Sequence, residues 1–413
     1  MTPSNGNSAA LYLLTPAAVR AQSQKLFELA CQNTLSHSRL EKEKLAPLAD
    51  KLIQLMQEKA QDGAIGPLTC WRDFECGALD RWGLIAGGRG FEAPEEMAYA
   101  AIDLAVVTSL FATEPNQHWQ YDAPLSGETL QGREAMANAV LNMFTSGAFS
   151  AKAEDPLRVD AEILMALQDE EVTQSLQLTS RNALEGFKER TRRLRALGEA
   201  LAMRGDLFEQ GGDIRPGFLF HHLQEIAQEA PLTAAKLLDL LQEGISPVWK
   251  NAPTMDGVNL GDTAKHSMLG KEGDPAQLVP LHCQMQWMTN SIIEALMWIG
   301  FEVQNWNTLT ACTNLRCVET FLQAGVLTQS LNDCEATPLA FDDESLVELR
   351  ALSIILVEEL AVIICQKLEL TREQLPLPCI ASVLEWYHQW QNASQNTKLK
   401  GKTINLRYDN PVY

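Results

Sequence analysis

The feature that most limits how this chain can fold is the stretch 280–299. Leu281, Met285, Met288, Ile292, Leu296 and Ile299 recur at steps of three and four, the spacing that lines one face of an α-helix. It predicts a helix over about 280–298, with Pro280 in the first turn, where a missing N–H is no loss, and Gly300 at the exit. That face is core. On another face His282, Gln286, Asn290 and Glu294 repeat every four residues, a polar stripe that either lines a pocket or faces solvent. After it, residues 301–303 read as a short strand and 305–310 as irregular chain.

The helical period recurs along the chain, so the fold class is mainly α: a multi-helical globular body with a small β-hairpin and few short strands. Thr15-Pro16 caps and starts a helix, a second covers about 40–60, and Asp62-Gly63 and Gly66-Pro67 close that pair. Helix 98–111 is apolar apart from Asp103, a carboxylate that needs a partner if buried, either in the core or in a site. Residues 119–121 and 128–130 read as the hairpin, and Asp155 as the cap of the next helix. Arg190, Arg192, Arg193 and Arg195 suit a solvated helix face better than a nucleic-acid surface. Residues 211–217 deliver a helix start beside Arg215, either an anion site or a plain cap. Two further helices cover about 342–370 and 378–391. Residues 1–10 read as a disordered lead, 11–392 as one helical domain with a division into lobes 11–205 and 206–392 left open, and 393–413 as a polar tail.

With 46% hydrophobic and 21% charged residues the chain can bury a large core. Its formal charge of −20, from 33 Lys plus Arg against 53 Asp plus Glu, repels nucleic acid and anionic membranes, so neither is expected as a partner. Nine cysteines without a C-x-x-C pair read as reduced cytosolic thiols, and the spacings of Cys70, Cys76, Cys312 and Cys317 do not match zinc knuckles. No metal or cofactor is expected. The N-terminus lacks a signal-peptide pattern. Asp103 and Glu358-Glu359 interrupt the longest apolar runs, which predicts no membrane span and a cytoplasmic protein.

Two constellations carry possible chemistry. Trp71-Arg72-Asp73-Phe74 and Asp80-Arg81-Trp82 crowd arginines, acids and tryptophans together. There Arg72 or Arg81 either grips a phosphate or carboxylate, with Asp80 orienting it, or joins an internal ion-pair network. Gly261-Asp262 followed by His266 sets a carboxylate and an imidazole on a long loop, placed for chemistry or forming an Asx-turn.

Val279, Pro280, His282, Gln286, Trp287, Ser291 and Glu294 spell Val-Pro-x-His-x-x-x-Gln-Trp-x-x-x-Ser-x-x-Glu. This pattern resembles the family that includes fungal uracil catabolism protein 4. Trp-Arg-x-Phe at 71–74, Gly-x-x-Asp-Arg at 77–81, Arg-Pro-Gly at 215–217, Gly-Asp-x-x-x-His at 261–266 and Glu-x-Arg at 348–350 extend the likeness along nearly the whole chain. The resemblance implies a mostly helical protein of a uracil-degrading route and a small nucleoside-like ligand, with hydrolysis of a ribosylurea-type N-glycoside as the suggested reaction. Such a step needs a carboxylate against the oxocarbenium-like carbon and a proton for the urea nitrogen. On that basis Asp262, His282 and Glu294 are the candidate catalytic groups. His266 is a donor, Arg72, Arg81, Arg215 and Arg316 are anion binders, and Asp80, Gln286, Trp287 and Asn314 are further substrate contacts. The chain departs from the family at 311–323, where Arg316 and Phe321 survive but Asn314 and Gln323 stand in place of acids. Cys283 replaces a lysine, and Ala381–Trp386 replaces a Gly-Gly-Thr-Trp-like segment. An amide keeps a carboxylate's shape without its charge, so the alternative is a non-catalytic relative that binds a ligand or a protein partner as a regulator.

Overall fold

Two long helices, Cys283–Trp298 (the central helix) and Glu344–Leu368, are axes on which several of the other helices stack. The computed structural model describes residues 5–59, 65–76, 79–116, 118–329 and 338–393, together with 404 and 406. Among them are 17 α-helices and five two-stranded antiparallel sheets, a mainly α fold as expected. Pro16–Cys31, Leu45–Lys59 and Leu377–Ala393 pack on Glu344–Leu368, while Pro94–Phe111 and Ala234–Ile245 pack on the central helix. One continuous apolar cluster runs from Val19 to Leu406. Among the described residues no helix is long and apolar enough to cross a membrane.

Local chemistry accounts for several elements. Thr15 Oγ1 accepts the Ala18 N–H at 3.2 Å ahead of Pro16, the expected cap. Asp256 and Gly257, at φ 51° and 78°, turn the hairpin Thr254–Met255/Val258–Asn259, because two left-handed residues match the twist of paired strands. The predicted hairpin is present as Gln120–Asp122 with Thr129–Gln131. Asn5–Leu13 forms the first helix, so regular structure starts inside the stretch read as a disordered lead. Residues 1–4, the Asp62-Gly63 turn and nearly all of the tail after 393 lie outside the described residues.

The central helix starts later than its apolar period suggests. Leu278–Pro280 is instead a strand paired with Thr263–Lys265, Pro280 opposite Thr263, a place where a residue without an N–H is tolerated. His282 follows in the left-handed region at φ 47°. The pairing ties the Gly261-Asp262 loop to the helix start. Every residue from Cys283 to Leu296 is buried, so the polar stripe faces neighbouring helices, not solvent.

Other expectations are corrected in the same way. Residues 301–303 form no strand, and Gln304 makes only a bridge to Thr233. The helix after Asp155 begins at Ala161. Of the four arginines read as a solvated face, Arg190 and Arg193 turn inward and are buried, while Arg192 pairs with Glu189 and Arg195 with Asp169.

Candidate functional site

The densest chemistry gathers around Arg133, where the Cys70–Asp73, Gly132–Thr145, Leu315–Gln323 and Leu377–Ala393 helices meet the central helix. Gly132, at φ 70°, turns the chain from strand Thr129–Gln131 into its helix and so aims Arg133 and Glu134 inward. Asn314 starts the Leu315–Gln323 helix by accepting the Cys317 N–H at 3.1 Å.

Arg133 Nε and Nη2 donate to Asp73 at 2.9 and 3.0 Å, and Nη1 and Nη2 donate to Glu385 at 2.7 Å each. Its guanidinium lies 5.3 Å from the Trp287 ring centre, close enough for a cation–π contact. Arg316 donates to Glu114 at 3.0 and 3.3 Å and to Glu134 at 2.6 and 2.8 Å. The Asn314 amide donates to Glu385. Four carboxylates therefore share two buried guanidiniums.

Two hollows flank this centre. One, of about 30 Å³, touches Glu114, Arg133, Cys283, Trp287, Asn314 and Arg316 and has room for a water or two. The other is a cleft of about 480 Å³ walled by Lys59, Arg72, Asp73, Glu134, Glu385 and Trp386. Arg72 holds Glu75 at 2.7 Å and also Glu294, whose other oxygen accepts the Thr69 hydroxyl at 2.5 Å.

Electrostatics separates the acids. Burial pushes the Asp73 carboxyl up to about 7, outweighing Arg133. Against burial, which pushes the other way, Arg316 and Arg133 hold Glu134 at about 2. Burial also opposes ionisation of Glu385, but Arg133 and Arg316 hold it below the usual carboxylate range. Burial raises Glu294, only partly offset by Arg72.

The loop-borne candidates occupy a second cluster. Asp262 Oδ2 accepts from Arg350 Nη2 at 2.6 Å and from the Cys283 N–H at 3.2 Å. Asp262 and Arg350 line a separate cavity of about 570 Å³ with Trp249, Lys265, Phe341 and Asp342. His282 is fully buried, its Nε2 2.9 Å from the Leu13 carbonyl, and burial lowers its pKa. His266 Nε2 lies 3.2 Å from Glu348, and its Nδ1 accepts the Met268 N–H. Asp262 and Arg316 thus line different hollows, on either side of the Cys283 turn.

The remaining candidates are dispersed. Asp80 caps the Arg81–Arg89 helix through the Gly83 N–H at 2.8 Å. Arg81 donates to the Cys76 carbonyl at 2.6 Å. Arg215 pairs with Asp103 at 2.6 Å, and the Gly217 N–H donates to the same carboxylate at 2.6 Å, so the chain's own Asp103 takes the anion position expected at that turn. Gln286 donates to Thr310 at 2.9 Å. Among the described residues, no group of three His, Cys, Asp or Glu is placed to hold a metal ion.

Arg72, Glu294, Trp287, Asn314 and Arg316 are therefore brought to the Arg133 centre, and sequence reasoning missed Asp73, Glu114, Arg133, Glu134 and Glu385. Asp73 sat inside the Trp71–Phe74 motif and Glu385 inside the divergent 381–386 segment, so both carried a signal. Glu114 carried none.

Over residues 12–413 the chain matches the family described as protein of unknown function (DUF1688). It is 27% identical to protein urg3 of Schizosaccharomyces pombe over 369 residues, 86% of each chain. It is 26% identical to uracil catabolism protein 4 of Lachancea kluyveri over 441 aligned positions, 97% of this chain and 98% of that one. With nearly its whole length matched, this chain belongs to the DUF1688 family.

Proposed function

We propose that the chain hydrolyses an N-ribosyl urea or a related nucleoside fragment at the Arg133 centre. The observation that carries the reading is the excess of acid: Asp73, Glu114, Glu134 and Glu385 around two guanidiniums, beside a cleft of about 480 Å³. As the glycosidic C–N bond breaks, positive charge grows on the anomeric carbon, and ionised Glu134 and Glu385 stabilise it. Asp73, whose carboxyl burial pushes up against the pull of Arg133, is the one of the four acids placed to give a proton to the leaving urea nitrogen. Water adds its oxygen to the anomeric carbon and its proton returns to Asp73, so the products are ribose and urea. The name of the Lachancea kluyveri relative supports a place in pyrimidine catabolism.

Asp262, His282 and Glu294, the catalytic candidates from sequence, then act structurally, through Arg350 and Cys283, Leu13, and Arg72 and Thr69. Arg72 and Arg133 each already hold two acids and Arg316 holds three, which favours an unphosphorylated ligand. The eight free cysteines among the described residues support a cytoplasmic setting.

A second reading, a regulator that binds the ligand without turnover, is favoured by Asn314 where the family pattern has an acid. Incubation with ribosylurea, free and 5′-phosphorylated, with urea followed by mass spectrometry, tests both. Urea from the free compound is expected. Binding without release leaves the regulator, and release only from the phosphate overturns the ligand assignment.

A further inference from the structure

Across the Cys283 turn from the Arg133 centre, the cavity of about 570 Å³ is walled by three separate stretches, 249–253, 261–265 and 340–342, and by Arg350. Its size is usual for a small-molecule pocket. Asp262 and Arg350 meet there at 2.6 Å with side chains 4% and 2% exposed, so their charges cancel at the wall. Lys265 and Asp342 also line the cavity, and both are exposed. Although opposite in sign they do not pair with each other, and among the described residues neither side chain has an ion-pair or hydrogen-bond partner. One ammonium and one carboxylate therefore stand apart on the same hollow, both within reach of anything that enters it. Trp249 and Phe341, 5% and 7% exposed, add aromatic surface. A plain cation would meet Asp342 but be repelled by Lys265, and a plain anion the reverse; a molecule carrying both charges satisfies the two at once.

We propose that this cavity binds a zwitterionic amino acid with an apolar side chain. Its carboxylate accepts from the Lys265 ammonium, its own ammonium donates to the Asp342 carboxylate, and its side chain lies against Trp249 and Phe341. The Asp262–Arg350 pair keeps its place beneath the ligand, so binding here is separate from the chemistry assigned to the Arg133 centre.

L-Phenylalanine is the probe, with phenethylamine and hydrocinnamate as controls that keep the ring and carry one charge each. Titration calorimetry and saturation-transfer NMR on the full chain should show phenylalanine binding about fivefold tighter than either control. Lys265→Met should weaken phenylalanine about fivefold without weakening phenethylamine, and Asp342→Asn should weaken it about fivefold without weakening hydrocinnamate. Both variants alter exposed side chains and should keep the wild-type melting temperature and the wild-type response to ribosylurea, which separates this site from the Arg133 centre. No phenylalanine binding, equal binding of a singly charged control, or wild-type affinity in either variant overturns the proposal.

Discussion

The two clusters of buried ions beside the central helix are built to different counts. At the Arg350 cluster, among the described residues, each of two acids has one close cationic or imidazole partner: Asp262 meets Arg350, and Glu348 meets His266. At the Arg133 centre four acids share two guanidiniums. Matched pairs hold a loop and a helix start in place; a surplus of carboxylate leaves acceptor capacity facing a cleft. The first arrangement suits structure and the second suits a ligand rich in donors or gaining positive charge.

The largest expected effect tests that difference in stability. Arg133→Met strands Asp73 and Glu385 together and should lower the unfolding free energy by about 3–5 kcal/mol in urea denaturation. Asp262→Asn keeps its shape and the Cys283 contact and should cost about 2 kcal/mol. Equal losses, or the reverse order, would break the comparison.

Acid titration sharpens it. Glu134's pKa is lowered from 4.5 to about 2, so its stabilisation is present above 4.5 and disappears as pH falls toward 2, on the order of 3 kcal/mol. Glu134→Gln should flatten that limb. His282's pKa is also lowered, from 6.5, so its share is lost earlier, as pH drops below 6.5, and His282→Gln should remove that earlier step. Asp73 has the opposite sign: raised to about 7, it favours the folded state when protonated and loses that advantage as pH rises through 7. The smallest effect belongs to neither cluster. Asp80→Ala removes a helix cap and should cost about 1 kcal/mol in thermal melts, with no change in either acid limb.

The helical class was legible because periods of three and four are local, and so were the Thr15 cap and the hairpin around Tyr121. The site was legible only in part. Arg133 meets Glu385 across 252 residues of chain, and Arg316 meets Glu114 across 202, separations over which no period carries information. The polar stripe of the central helix gave no sign of being enclosed, since burial on all sides depends on which helices arrive. Asp262 and His266 stood on a loop, either placed for chemistry or in an Asx-turn; their partners Arg350 and Glu348, about two turns and one turn into a distant helix, could not be read from the loop itself.

The most direct test of the central claim is urea release from ribosylurea by wild-type protein, Glu385→Gln and Asp262→Asn side by side, each checked for folding by circular dichroism. Release by wild type, a fall of about a hundredfold or more in Glu385→Gln and a largely retained rate in Asp262→Asn is the predicted pattern. Full activity in Glu385→Gln, or its loss only in Asp262→Asn, would contradict the assignment of the chemistry to the Arg133 centre.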